Sequence, residues 1–329
     1  MRLSGPERSC HGKTCGGNLE GLCNTAANSK RFFKRMTKLC CMLKRHLKAI
    51  KSLLKSQYMR RTKFHYLDKQ YKAQFFANKL GLEIGGPSSI FSPMSIIPIY
   101  HWASSIDNVN FSNSTVWSKT TSDQNFLLKH RKAEGKQIIS ECTNLSAIKD
   151  QSYDFVVSSH VLEHTANPIK ALNEWKRVVR DNGILFVVCP HKEGTFDHFR
   201  PSTDLSHLIA DFNENKGEAD LSHLEEILNL HDLSMDPAAG SFEDFLERSR
   251  DNYKCRCLHH HTFTTESVIR LFDYLDIEII HIDTYLPYHI FILGKVNRNT
   301  SNVHPSNQRH LMQNAKWRQN SCFVLDQQQ

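Results

Sequence analysis

The sequence predicts an α/β fold, a largely parallel sheet with helices on both faces, and three observations carry that expectation. Beyond Lys79, short apolar runs alternate with helical stretches. Acids follow three successive runs, at the strand ends where open α/β sheets hold their ligands. Two further runs flank the short link Leu286-Pro287-Tyr288, which favours an antiparallel pair.

Residues 1–28 are small and polar without periodicity and read as a flexible lead-in. Cys10, Cys15 and Cys23 with His11 lack the paired spacing of a zinc knuckle, so no metal is expected there. In 29–74 the apolar residues Phe32, Met36, Leu39, Leu43, Leu47, Ile50 and Leu54 track one helix face, with Ser29 as cap and Lys and Arg over the rest. A second helix is expected over Asp68–Asn78. The strands are Leu80–Ile84, Ser104–Asp107, Gln137–Ile139, Tyr153–Ser158 and Ile184–Cys189, with an amphipathic helix at Ala166–Arg180. Residues 192–264 are too long for a plain loop and hold two helical patterns, His207–Phe212 and Leu221–Leu230; additions at this edge of a sheet shape substrate pockets. Strands Ile277–Thr284 and His289–Leu293 close the domain, and polar residues 296–329 read as a tail.

Of 329 residues, 40% are hydrophobic and 23% charged, ordinary globular composition that excludes fibres and wholly disordered chains. The net charge of +8 is local: residues 30–72 carry fifteen Lys or Arg against Asp68, which leaves the remainder at −6. That distribution argues against specific nucleic-acid binding and for one basic contact surface. The basic helix suits either packing on its own domain, the preferred reading, or an anionic lipid surface; a weak membrane contact through 29–60 is expected. No run approaches the ~20 apolar residues of a membrane span, and the N-terminus lacks the apolar stretch of a secretory signal. A cytoplasmic protein with reduced thiols, possible only peripherally at a membrane, is expected.

The chemistry-bearing residues sit at strand ends. In Leu82-Glu83-Ile84-Gly85-Gly86-Pro87-Ser88-Ser89 an acid precedes two glycines and a helix-start signal, so backbone can approach a nucleoside closely. Asp107, 24 residues after Glu83, stands where an acid accepts from ribose hydroxyls. Glu141 follows the third strand, and YDFVVSSHVLEH runs from a buried strand into a loop.

From about residue 75 to 295 the chain resembles the class I S-adenosylmethionine-dependent methyltransferases, in particular the type 11 group. YDFVVSSHVLEHTANPIKALNEWKRVVRDNGILFVVCPH carries most of the resemblance, while EIGGPSS replaces the usual acid and three spaced glycines. The resemblance implies a Rossmann-like seven-stranded methyltransferase sheet over 75–295, with a basic N-terminal helical extension and a helical insertion, 192–264, after strand five. It implies S-adenosyl-L-methionine as cofactor, with Glu83, Gly85 and Gly86 around its methionine end and Asp107 on the ribose. Glu141, with Cys142 beside it, would approach the adenine amine; Ser159 and His160 would border the sulfonium. A small-molecule, glycan or lipid-linked sugar acceptor would take the methyl group on oxygen or nitrogen.

For a base, His191 follows strand five at the substrate edge, with His164 and His198 as alternatives. No metal is expected; Cys255, Cys257, His259 and His261 are the set that would hold one, because an extended strand puts them on one face. A nicotinamide-dependent oxidoreductase is disfavoured by the absence of G-x-G-x-x-G. A catalytically silent interaction module remains the other alternative.

Overall fold

Runs rich in β-branched and aromatic residues pair into one sheet in the computed structural model, which describes residues 71, 74–93, 95–115, 125–127, 134–298 and 305–328. The strands are β1 (Leu80–Ile84), β2 (Ser105–Asn110), β3 (Asn125–Leu127), β4 (Glu134–Ile139), β5 (Tyr153–Ser159), β6 (Val179–Pro190), β7 (Ile277–Tyr285) and β8 (His289–Val296). Their order is β3-β4-β2-β1-β5-β6-β8-β7. The stretch from β4 to β6 is parallel, and β3, β8 and β7 join antiparallel. The seven expected strands are all present, and β3 adds a short eighth at the edge. The lead-in 1–28, its Cys10, Cys15, Cys23 and His11, and the basic helix from Ser29 to Leu54 lie outside the described residues.

Alternation along the central strands builds two cores. Phe155, Val157, Ile184, Phe186 and Val188 point to one face and join Phe76, Phe91 and Phe291. Val156, Leu185, Val187 and Cys189 point to the other, beneath α2 (Pro168–Val178) and α7 (Thr265–Tyr274). Because β6 is covered on both faces from Ile184 to Cys189, its sequence there is continuously apolar. Asn167 caps α2 by accepting from Lys170 N, Pro168 opens it, and Ile169, Leu172, Trp175 and Val178 form its buried stripe. Between β1 and β2 runs α1 (Ile99–Trp102).

The insertion is helical: α3 (Leu205–Asn213), α4 (Leu224–Leu230), α5 (Phe242–Arg250) and α6 (Asn252–Cys255). The polar residues near the C-terminus are not a tail. Pro305–Leu311, Lys316–Asn320 and Val324–Gln328 form short helices α8, α9 and α10. Asn307 donates to Ile277 O and accepts from Ile279 N, while Trp317, Phe323 and Asp326 are buried. A few large anchors and satisfied polar groups suffice to dock this segment, which is why its composition reads as a tail. No helix among the described residues is long and apolar enough to cross a membrane.

Candidate functional site

The turn after β1 is held from both sides. Glu83 is fully buried and accepts from Ser88 N at 3.0 Å and from Tyr100 Oη at 2.6 Å. Burial raises its carboxyl to about 7 against the opposing effect of these hydrogen bonds. Gly85 has φ of +79°, and a Cβ on Gly86 would lie 2.3 Å from Glu83 Cδ, so both positions require glycine. Two asparagines of β2 complete the lock: Gly86 N donates to Asn108 Oδ1 at 2.9 Å, and Asn108 and Asn110 both donate through Nδ2 to Gly86 O.

In front of this turn lies a cavity of about 290 Å³, bounded by the carboxyl ends of β1, β2, β4 and β5. Gly85, Gly86, Glu141, Cys142, Ser159, His160 and His164 line it, as the sequence places them together. Glu83 stands behind the wall and fixes the turn. Asn110, Phe111, Glu218 and Arg256 also line the cavity, and sequence reasoning missed them. For Asn110 the signal is slight, a β-branched Val109 that lets the strand run past Asp107. For Glu218 and Arg256 no local signal exists, because the fold of the insertion brings them in.

Asp107 does not reach the cavity. It sits mid-strand, three residues before the end of β2, and its carboxylate accepts from Lys136 N at 2.7 Å and Tyr153 Oη at 2.7 Å. His191 is also elsewhere: fully buried, its Nε2 lies 3.2 Å from Asp326 Oδ1 and its ring stacks on Phe323 at 4.1 Å. His198 pairs with Asp232 at 3.0 Å, outside the cavity lining. The metal set does not converge either. Cys255 ends α6 and Arg256 is left-handed with φ of +54°, so the extended face that would align the four residues does not form. Cys255 Sγ bonds Arg248 O, His259 binds Asp197, and His261 turns towards Asp211.

Behind the β5 end, buried Glu163 lies 3.3 Å from His160 Nδ1 and 3.9 Å from His164 Nε2. Burial disfavours its charge, yet the hydrogen bond and charge of His160, with His164 and His259, hold the carboxyl below its ordinary value. His160 has φ of +56°, a left-handed posture unusual for a non-glycine residue, and its Nε2 meets His289 Nδ1 at 3.0 Å. Burial first, then the charge of His259, lowers His164 to about 4, so its ring is neutral near pH 7. His164 Nδ1 donates to Leu258 O at 3.0 Å, which leaves Nε2 as the acceptor.

Parts of the chain are similar to known proteins. Residues 108–187 match the family model described as a methyltransferase domain. Over 67 residues the chain is 39% identical to an uncharacterized protein of Methanocaldococcus jannaschii, covering 20% of this chain and 29% of that protein. The chain thus spans under a third of the length of the curated relative it matches. Among solved structures it is similar to an S-adenosylmethionine-dependent methyltransferase of Methanosarcina mazei, at 14% identity over 70% of this chain and 98% of that one, with a TM-score of 0.39. It is also similar to one from Mesorhizobium loti, at 11% identity over 69% and 95%, with a TM-score of 0.42. The family match begins at the asparagines that lock the glycine turn and passes through the SSHVLEH segment at the cavity wall, so over residues 108–187 the chain is similar to the methyltransferase domain at the stretch that builds the cavity.

Proposed function

We propose that this chain transfers a methyl group to an oxygen or nitrogen of a small-molecule, glycan or lipid-linked sugar acceptor. One observation carries the reading: a single cavity gathers the glycine turn of β1, the end of β2, Glu141 after β4 and Ser159–His160 at the end of β5. The residues fit a nucleoside cofactor. Asn110 Nδ2 is spent on Gly86 O, which leaves Oδ1 to accept from a ribose hydroxyl, and Glu141 accepts from an amine. Ile84, Val109, Phe111 and Val161 offer apolar contact to a base.

Bound there, S-adenosylmethionine supplies an activated methyl group to an in-line nucleophile. The protein contributes mainly position. Of the three histidines considered as base, His164 lines the cavity. With a proton affinity as low as about 4, its Nε2 suits accepting a hydrogen bond from the acceptor's hydroxyl or amine and orienting it, more than removing the proton outright. The polar and aromatic composition of 192–264 supports a hydroxylated acceptor. From its sequence alone, segment 29–60 adds a weak, salt-sensitive attraction to anionic membranes.

Calorimetry with S-adenosylhomocysteine tests the cofactor, and incubation of the protein with methyl-labelled cofactor and fractionated metabolite and glycan extracts tests transfer. Binding together with a labelled oxygen- or nitrogen-methyl product is expected. Binding with no labelled product in any fraction favours a silent interaction protein, and no binding overturns the cofactor reading for this cavity.

A further inference from the structure

Away from the cavity lining, four side chains of the insertion aim their ligating atoms at one point. His207 and Asp211 stand one turn apart on α3, so they share a face, and His207 Nε2 lies 3.2 Å from Asp211 Oδ2. His223, at the start of α4, brings its Nε2 to 3.1 Å from that of His207. His261, from the stretch before α7, places Nε2 3.6 Å from the same Asp211 oxygen. All four ligand atoms lie within 4.8 Å of one another.

Those separations are the edge lengths of a coordination shell. Four N and O ligands around an ion at ~2.1 Å, arranged tetrahedrally, stand ~3.4 Å apart. Hydrogen bonding accounts for the arrangement only in part: His207 Nε2 meets His223 Nε2 and His261 Nε2 donates to Ala166 O at 3.3 Å, but Asp211 Oδ2 is buried and has no hydrogen-bond partner. A buried carboxylate oxygen left in that state is costly unless a cation compensates it.

We propose that His207, Asp211, His223 and His261 bind a first-row divalent cation, Zn²⁺ foremost, as a structural site that closes the loop between α3 and α4. Three imidazoles and one carboxylate match the ligand preferences of that ion, and four protein ligands leave no open position for chemistry. Their surroundings are pinned: Asp211 O accepts from Asn167 Nδ2 at 3.0 Å, tying α3 to the cap of α2, and His207 N donates to Asp204 Oδ1 at 2.8 Å.

The loop that this site would close carries Glu218, a residue of the cavity wall that accepts from Ala166 N at 3.2 Å. Asp211 on one side of Glu218 and His223 on the other become ligands of one ion. Metal binding would thereby set the wall without touching the cofactor.

The test uses the full-length protein, freed of metal with a chelator and titrated with Zn²⁺ alone, with elemental analysis and thermal unfolding as readouts. Saturable binding that raises Tm is expected. His207→Ala and His223→Ala, which alter the less buried ligands, should each weaken that binding by about tenfold or more while leaving the far-ultraviolet circular dichroism unchanged. Failure of the wild type to bind, or equal binding by the wild type and the double variant, overturns the proposal. If the variants do not fold, Co²⁺-loaded wild-type protein decides. Tetrahedral d–d absorption without a thiolate charge-transfer band supports the site, whereas a thiolate band assigns the ion to cysteines and overturns it.

Discussion

Arg256 holds Glu141 through two guanidinium nitrogens, at 2.7 and 3.1 Å, across 115 residues of chain. Glu218 approaches the same guanidinium at 3.3 Å, and the ring of Phe111 lies 4.9 Å beneath it. Through this one side chain the insertion is fastened to the carboxyl end of β4 beside the cavity.

Replacing Arg256 with Gln removes the cation from two carboxylates, of which Glu218 is the more buried. Burial already raises Glu218 to about 7, against the lowering influence of Arg256. The variant should therefore lose on the order of 1–3 kcal/mol at pH 8 and less at pH 6, where Glu218 takes up a proton. Urea unfolding at the two pH values measures this; equal losses would show that Glu218 is not the group left uncompensated.

Glu83 gives a second pH effect. Its folded value of about 7 lies above its ordinary 4.5, so the folded state binds the proton more tightly. The associated stability is fully present below pH ~4.5 and is lost as pH rises through ~7, a change on the order of 3 kcal/mol. Glu83→Gln, which keeps an oxygen for Ser88 N, should flatten the dependence between pH 5 and 8. Parallel stability curves for variant and wild type would show that Glu83 is charged throughout.

At the end of β2, Asn110→Ala should weaken S-adenosylhomocysteine binding by about 1–3 kcal/mol, because the ribose hydroxyl loses its acceptor and Gly86 O loses a donor. Asp107→Asn, whose side chain serves Lys136 and Tyr153, should leave binding within experimental error and lower Tm instead. Calorimetry and melting curves of both variants separate the roles.

The two histidines should part in the same way. His164→Ala is expected to reduce turnover by about 100-fold with cofactor affinity retained. His191→Ala strips Asp326 of one of its buried partners, beside Thr265 and Ser321, and Phe323 of its stacked ring, and should cost about 2–4 kcal/mol of stability with cofactor affinity unchanged. A normal Tm for His191→Ala with lost turnover would return His191 to the chemistry.

The strands and α2 were legible because period-two and helical patterns are local properties, and Asn167-Pro168 marks the helix start directly. Gly85, Gly86, Glu141, Cys142, Ser159 and His160 were legible because strand ends in such sheets converge. Asp107 misled because an acid attracts attention, while β2 runs on to Asn110 in residues of weak strand preference. His191 does leave β6 at the sheet's carboxyl edge, but Asp326, 135 residues on, closes over it. No local pattern encodes such a contact. The same holds for Glu218 and Arg256, and for His207 and His223, which meet His261 only through the fold of the insertion.

The position of β8 has a consequence for how the protein is made. Because β8 lies between β6 and β7, the long edge of β6 from Ile184 to Pro190 finds its partner only when Pro190 to Ile184 meet His289 to Lys295. During synthesis, about a hundred residues leave the ribosome between the two, and β7 emerges with no neighbour until β8 follows. For that interval the nascent chain presents an unpaired, fully apolar strand edge, the kind of surface that holdase chaperones bind and that aggregates when left uncovered.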